Sequence, residues 1–191
     1  MVAAPGDTGI AFAGAVLTGG HSSRMGRDKA TLTIDGVPMA ARVADALHSA
    51  GAEPVLAVGG DRAALEALGL AWVPDRYPGE GPLGGILSAF GAIGHEAVVA
   101  VVATDLPALE ASVVQALVAA LGAHDVAVAG GEHPEPLCAV WRISRCEAVL
   151  TGAFEQGERA VHRAWAALDR IVVPVPAQYL RNVNHPDDLG R

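Results

Sequence analysis

The sequence is poor in cysteine, aromatic side chains and positive charge, and it lacks any long apolar run. Its two cysteines, Cys138 and Cys146, form no Cys-x-x-Cys pair and are too few for a disulfide framework, so a reducing compartment is expected. No stretch approaches the ~20 apolar residues that a membrane span needs, and no basic signal-peptide segment precedes the first apolar run. We therefore expect a soluble, cytoplasmic protein.

The shortage of positive charge limits the possible partners. Thirteen Lys and Arg residues stand against 21 Asp and Glu residues, which gives a formal net charge of −8. An acidic surface repels phosphate backbones and anionic lipids, so neither nucleic acid nor a membrane is expected as a partner. An anionic small molecule can bind only where cations cluster. The clearest cluster is Arg24, Arg27 and Lys29, in a glycine-rich loop.

Small apolar residues are abundant: 51% of the chain is hydrophobic although only 4% is aromatic. Strands alternate with helices along the chain, and the segment EAVVAVVATD at 96–105 reads as a strand buried on both faces. The pattern predicts an α/β fold with a mostly parallel central sheet between helical layers. We expect a flexible tail at 1–9 and a single domain over 10–191.

The predicted elements follow from hydrophobic periodicity and from Gly and Pro breaks. The predicted strands are 10–18, 54–58, 71–74, 96–105, 125–129, 136–142 and 170–175. The predicted helices are 38–50, 61–69, 85–93, 110–122, 143–154 and 158–168, with a loop at 77–85.

The loop LTGGHSSRMGRDKATL at 17–32 follows the first predicted strand. It is not a Walker A loop, since Gly26 precedes Arg27 rather than Lys, and its glycines do not match G-x-G-x-x-G. It nevertheless combines exposed main chain with Arg and Lys side chains, which suits phosphate binding at the carboxyl end of a parallel sheet. A tight surface turn with solvated arginines is the alternative interpretation.

The segment LTGGHSSRMGRDK resembles the signature L-A-G-G-x-S-x-R-M-G-x-D-K of the molybdenum cofactor guanylyltransferases. These enzymes belong to a wider nucleotidyltransferase family with a three-layer Rossmann-like fold. Thr18 departs from the pattern, standing where the family usually has alanine. The agreeing positions are Leu17, Gly19, Gly20, Ser22, Arg24, Met25, Gly26, Asp28 and Lys29. The resemblance continues through PDRYPGEGPLGGI, ATDLP, EPLCAVWR and NVNHPDDL, and so covers nearly the whole chain.

The resemblance implies transfer of GMP from GTP to the terminal phosphate of molybdopterin, with release of pyrophosphate and with Mg²⁺ as cofactor. It also implies contacts with molybdoenzymes or other proteins of cofactor biosynthesis. Arg24 and Lys29 would hold the phosphates, and Asp105 would bind the metal; these three would be catalytic. Asn182 and Asn184 match family residues near the acceptor phosphate or a second metal. The implied nucleotide-binding residues are Leu17, Thr18, Gly19, Gly20, Lys29, Asp75, Gly81, Pro82, Leu83 and Asp105.

Two positions bear on the choice of base. Cytidylyltransferases of the same pterin usually carry alanine where this chain has Gly19, so the missing methyl group would make room for a purine. The family also has an asparagine contact after the second strand, where this chain reads Gly59-Gly60-Asp61. That contact is either absent or replaced by main chain or by Asp61.

Each of these motifs also has a purely structural interpretation. Asp105 could cap the next helix, but that helix is predicted to start near Glu110, five residues later. Asp75 could be an ordinary turn residue, GEGPLGG a connector, and Asn184 the cap of a helix at Pro186. The histidines show no metal-ligand spacing and are interpreted as surface residues.

Other functions remain open from the sequence. A cytidylyltransferase of the same pterin, another sugar-phosphate nucleotidyltransferase and a non-catalytic paralogue that binds nucleotide or pterin are all compatible with it. A Rossmann oxidoreductase is disfavoured because the dinucleotide fingerprint is missing.

Overall fold

The computed structural model describes residues 9–19, 29–95 and 97–183. These residues form nine strands, six α-helices and two 3₁₀ turns, the turns at Lys29–Thr31 and Ala177–Leu180. The strands are β1 Ala13–Leu17, β2 Thr33–Ile34, β3 Val37–Pro38, β4 Val55–Val58, β5 Ala71–Val73, β6 Val98–Ala103, β7 Val126–Gly130, β8 Cys138–Arg142 and β9 Arg170–Pro174. The helices are α1 Met39–Ser49, α2 Arg62–Ala67, α3 Pro82–Ile93, α4 Ala111–Leu121, α5 Ile143–Glu155 and α6 Val161–Ala164.

Seven strands form the central sheet, in the order β5-β4-β1-β6-β8-β7-β9. Every neighbouring pair is parallel except the two that involve β8, which is antiparallel to β6 and to β7. The short connection from β7 to β8 explains the reversal, because a parallel return needs a longer crossover. The predicted α/β class with a mostly parallel sheet is confirmed.

Helices cover both faces of the sheet. Alternate residues of β1 and β6 point to opposite sides, so Val16 and Val102 pack with α1 and α4, whereas Ala15 and Val101 pack with α3, α5 and α6. β6 is buried at every position, as its uninterrupted apolar run predicts. The result is the expected three-layer arrangement.

Two predicted helix boundaries are wrong. α3 begins at Pro82 rather than at 85, because proline suits the first helical position and Gly84 and Gly85 lie inside the helix. A Cβ at Gly84 would lie 2.8 Å from the Cβ of Tyr77, so close packing rather than loop flexibility requires this glycine. The helix predicted at 158–168 is reduced to the single turn of α6.

The parallel strands β1, β4, β5 and β6 direct their carboxyl ends to one edge of the sheet, where the predicted site residues follow them. In an open α/β sheet this edge is the usual location of a ligand crevice. In the part of the chain that the structure describes, no helix combines the length and apolar character needed to cross a membrane.

Candidate active site

The main chain after β1 is hydrogen-bonded to the end of β4. The N–H groups of Thr18 and Gly19 both donate to the carbonyl of Val58, each at 3.0 Å. The Thr18 side chain is buried, and its Oγ1 lies 3.0 Å from the Val58 carbonyl oxygen and 2.9 Å from that of Gly59. These hydrogen bonds fix the position of Leu17 and Thr18 relative to the carboxyl end of β4.

Gly19, Gly59 and Asp75 come together at this edge. Gly59 has a φ of +76°, and a Cβ on it would lie 3.0 Å from Gly19 Cα and 3.1 Å from Asp75 Cβ. A Cβ on Gly19 would instead lie 3.5 Å from Asp75 Oδ2 and 3.5 Å from Gly59 Cα, which is ordinary van der Waals contact. The two glycines allow the main chains to meet beside the Asp75 carboxylate.

The Asp75 carboxylate is held in place from one side. Its Oδ1 accepts hydrogen bonds from the Tyr77 N–H and from the Ser88 hydroxyl, both at 2.9 Å. Ser88 is a buried residue of α3, and its Oγ also accepts from the Arg76 N–H. The other oxygen, Oδ2, lies on the side of Gly19. Asp75 is therefore both a turn residue and an oriented acceptor at the mouth of the sheet.

Asp105 follows the end of β6, next to β1. Thr104 Oγ1 donates to the Leu17 carbonyl at 2.7 Å, which ties the two strand ends together. The carbonyl of Asp105 accepts from the Val183 N–H at 2.9 Å, so exposed Asn182 lies one residue from this contact. α4 begins at Ala111, with Glu110 at the capping position, so Asp105 is not the cap of that helix.

Glu135 is a site neighbour that the sequence analysis missed. β8 pairs Cys138 with Val102, and the Ala103 N–H donates to the Leu137 carbonyl at 2.8 Å, so the turn that leads from Glu135 into β8 lies at the end of β6. Burial raises the pKa of the Glu135 carboxyl, and the nearby Asp105 charge raises it further, whereas a hydrogen bond from the Leu137 N–H opposes the rise. The sequence could have placed Glu135 near Asp105 only if β6 and β8 had been recognised as antiparallel neighbours.

These oxygen donors suit a hard divalent cation. Mg²⁺ prefers carboxylate and other oxygen ligands and is held in proteins by one or two carboxylates with water and substrate phosphates. Asp105 and Glu135 repel each other across the strand ends, and a cation between them would remove that repulsion. Within the described ranges, no group of three or more His, Cys, Asp or Glu side chains is arranged to hold a metal.

The start of α3 supplies main-chain N–H groups. Gly81 occupies the capping position with a φ of +82°, and no side chain caps the helix. Leu83 is fully buried in the core, so only its main chain can reach a ligand. A Cβ on Gly81 would lie 3.7 Å from the Cβ of Arg159, and the Arg159 guanidinium is paired with Glu80 at 2.6 Å. Nothing in the sequence had indicated this arginine.

Part of the predicted site lies outside the described residues. This applies to Gly20, Arg24 and Asn184 and to the side chain of Lys29. The main chain of Lys29 opens a 3₁₀ turn, and the next residue, Ala30, is buried against Ala57 of β4. Gly19 and Ala30, which lie on either side of residues 20–28 in the sequence, are therefore both close to β4.

A family model of the MobA-like NTP transferase domain matches residues 14–171, which is most of the chain. The chain belongs to the MobA-like NTP transferase family. A protein from Rhodobacter capsulatus named molybdenum cofactor guanylyltransferase is 35% identical over 94% of this chain and 94% of its own. A protein from Opitutus terrae named probable molybdenum cofactor guanylyltransferase is 37% identical over 95% of this chain and 94% of its own.

Solved structures agree with this MobA-like assignment. Molybdopterin-guanine dinucleotide biosynthesis protein A from Archaeoglobus fulgidus superposes with a TM-score of 0.76 at 25% identity, covering 93% of this chain and 95% of its own. The fold alone is shared with 2-C-methyl-D-erythritol 4-phosphate cytidylyltransferase from Thermus thermophilus, at a TM-score of 0.70 and 16% identity over 92% and 94% of the two chains. The protein is a nucleotidyltransferase of the MobA-like type.

Proposed function

We propose that this protein is a molybdenum cofactor guanylyltransferase, which joins GMP from GTP to the terminal phosphate of molybdopterin and releases pyrophosphate. The observation that carries the proposal is the agreement of curated relatives bearing that name over about 95% of the chain. The grouping of Gly19, Asp75 and Asp105 at one edge of the sheet supports it, since a nucleotide needs base and phosphate contacts at the same crevice.

The reaction is a displacement at the α-phosphorus of GTP. An oxygen of the molybdopterin phosphate forms the new P–O bond, and the bond to the β-phosphate oxygen breaks, so that pyrophosphate leaves with its electron pair. The nucleophile is already anionic at neutral pH and needs no general base. The protein has to align two anions and offset their repulsion, which is catalysis by positioning and electrostatics.

We assign the phosphate contacts to Arg24, Lys29 and the main chain at Gly81, which starts α3. Arginine and lysine neutralise phosphate charge, and the amino end of a helix offers unpaired N–H groups and a partial positive charge. Asp105 would hold Mg²⁺, with Glu135 beside it. When bound, the ion supplies positive charge at the triphosphate.

We assign the base to the space beside Gly19 and Asp75. Guanine carries N–H donors on the edge that distinguishes it from cytosine, and the Asp75 Oδ2 atom is an acceptor on the Gly19 side. A methyl group at residue 19 would lie 3.5 Å from that oxygen and would partly cover it. Gly19 therefore favours the purine in this proposal.

The direct test is Mg²⁺-dependent pyrophosphate release with molybdopterin as acceptor, run with GTP, CTP and ATP in parallel. We expect turnover with GTP and a pterin–guanine dinucleotide as product. Faster turnover with CTP would assign the protein to the cytidylyltransferases. Nucleotide binding without pyrophosphate release would assign it to non-catalytic binding proteins.

A further inference from the structure

The exit from β4 is built differently from what the resemblance predicts. Where the resemblance implies an asparagine contact, this chain has Gly59 and Gly60, both in the left-handed region with φ of +76° and +73°. The left-handed conformation at two successive positions is strongly disfavoured for residues that carry a Cβ, so the turn depends on glycine. The position cannot supply a side-chain amide and can offer only main-chain groups.

Buried and half-buried hydrogen bonds fix this turn. The Gly59 carbonyl accepts from two side chains, Thr18 Oγ1 and Trp72 Nε1, each at 2.9 Å, and the Gly59 N–H donates to the Val73 carbonyl at 2.9 Å. The Thr18 hydroxyl has one proton and shares it between the Val58 and Gly59 carbonyls. Both polar groups of Gly59 are thereby used within the protein.

Gly60 contrasts with Gly59. It is exposed, and among the described residues its N–H and carbonyl have no hydrogen-bond partner. Asp61 does not replace the missing asparagine on its Oδ1 side, because that oxygen caps α2 by accepting from the Ala64 N–H at 3.0 Å. Among the described residues at this corner, Gly60 thus has main-chain polar groups that are open to a ligand.

Thr18 is the residue that departs from the loop signature, which usually has alanine. Alanine has no hydroxyl and could not hold the Gly59 carbonyl. Thr18 and the Gly59–Gly60 turn, two places where this chain departs from what the resemblance implies, therefore meet in one hydrogen bond.

We propose that Thr18 is a positioning residue for the nucleotide base: with Trp72 it fixes the Gly59–Gly60 turn, so that the Gly60 main chain makes the base contact that an asparagine side chain would otherwise make. The inference rests on the proposed nucleotidyltransferase function and names how this chain recognises the base. The Gly60 peptide N–H is a donor that suits O6 of guanine, which leaves the N–H donors of the same base edge to Asp75 Oδ2.

The test compares binding of GTP with binding of inorganic tripolyphosphate, which lacks the base, by titration calorimetry with Mg²⁺ present. Thr18→Val removes the hydroxyl and keeps the shape, and Thr18→Ser keeps the hydroxyl. We expect Thr18→Val to weaken GTP about threefold to tenfold, which is the value of about one hydrogen bond, and to leave tripolyphosphate unchanged. Thr18→Ser should bind GTP within about twofold of wild type.

Trp72→Phe removes the second donor to the same carbonyl while keeping a ring. It should also weaken GTP selectively, and its effect should not add to that of Thr18→Val because both act through Gly59. Val118→Ala, a buried change on α4 in the opposite part of the core, controls for general destabilisation and should lower the melting temperature without altering either affinity.

The inference is overturned if Thr18→Val binds GTP as wild type does, or if it loses GTP and tripolyphosphate affinity equally. If the wild-type protein binds GTP more tightly than tripolyphosphate, either of these Thr18→Val results leaves the guanylyltransferase proposal standing. A wild-type protein that binds GTP no more tightly than tripolyphosphate has no base site, and that result overturns both proposals.

Discussion

The proposed mechanism assigns the metal ion to Asp105, at the end of β6. Its strand is buried at every position, and its neighbour Thr104 ties it to the end of β1. The sequence alone located it, because a carboxylate directly after the longest apolar strand can only lie at the sheet edge. The companion carboxylate of Glu135 was not found, because the reversed direction of β8 is a tertiary feature that local periodicity does not encode.

We expect Asp105→Asn to lower turnover by about 10²-fold or more, which is the usual cost of removing one stabilising group from a transition-state site. The substitution keeps the size of the side chain and removes its charge. The measurement is pyrophosphate release with GTP and molybdopterin over a range of Mg²⁺ concentrations. Asp45→Asn, an exposed change on α1, is the matched control. Undiminished turnover in Asp105→Asn would remove this residue from the mechanism.

Lys29→Ala should likewise lower turnover by about 10²-fold or more, because it removes a positive charge assigned to the phosphates. The same measurement of pyrophosphate release tests this substitution.

Gly19 offers a second test at the residue scale. Gly19→Ala introduces a methyl group at ordinary contact distances, so the melting temperature should stay close to the wild-type value. The methyl group lies against Asp75 Oδ2, and we expect KM for GTP to rise about tenfold, the order of effect of one methyl group in a binding pocket. Gly152→Ala on α5, where nothing lies within 4 Å, is the control. An unchanged ratio of GTP to CTP turnover would show that residue 19 does not select the base.

At the scale of elements, the amino ends of α2 and α3 flank the glycine-rich edge but differ in how they are capped. α2 is capped by the Asp61 side chain, whereas α3 starts at Gly81 without a side-chain cap. The sequence predicted both helices yet placed the start of α3 three residues late, because Gly84 and Gly85 are read locally as helix breakers. Their contacts with Tyr77 and Leu17 override that preference.

The two roles considered for Asp61 predict different outcomes. As the cap of α2, Asp61→Ala should lower the free energy of unfolding by about 1 kcal/mol and leave the affinity for GTP within about twofold. Asp61→Asn should retain most of the stability, since asparagine caps helices well. Urea denaturation and calorimetric GTP binding measure the two quantities. A tenfold loss of GTP affinity in a stably folded Asp61→Ala protein would instead make Asp61 a base contact.

For the whole molecule, the sheet separates two large apolar cores, and each of these two contains one thiol. Cys138 packs with the α1 and α4 side, and Cys146 with the α3, α5 and α6 side. Both are fully buried, and burial is the main cause that raises the pKa of each thiol to about 12. The sequence predicted the helix–sheet–helix layers. It could not predict the face on which each helix packs, because that depends on the order of the strands in the sheet.

We expect both thiols to be inert toward Ellman's reagent at pH 8 in the folded protein and to react together once guanidinium unfolds it. Fast labelling of either cysteine in the native state would show that one face of the sheet opens on its own.

The burial of the two thiols also makes the stability of the folded protein depend on pH. Above pH 9 the unfolded chain releases thiol protons that the folded chain keeps, so stability falls as the pH rises from about 9 toward 12, by up to ~1.4 kcal/mol per pH unit for each thiol. The difference in stability between wild type and Cys146→Ala, measured by denaturation from pH 8 to 10.5, isolates one thiol. A difference that does not change with pH would contradict the buried, protonated state.

The most direct test of the central claim is a crystal structure with GTP and Mg²⁺. The account predicts that the guanine lies between Gly19, Gly60 and Asp75, with the triphosphate running past the start of α3 toward Asp105, and with Arg24 and Lys29 on its oxygens. A nucleotide bound elsewhere, or bound here with Arg24 and Lys29 turned away from the phosphates, would contradict it.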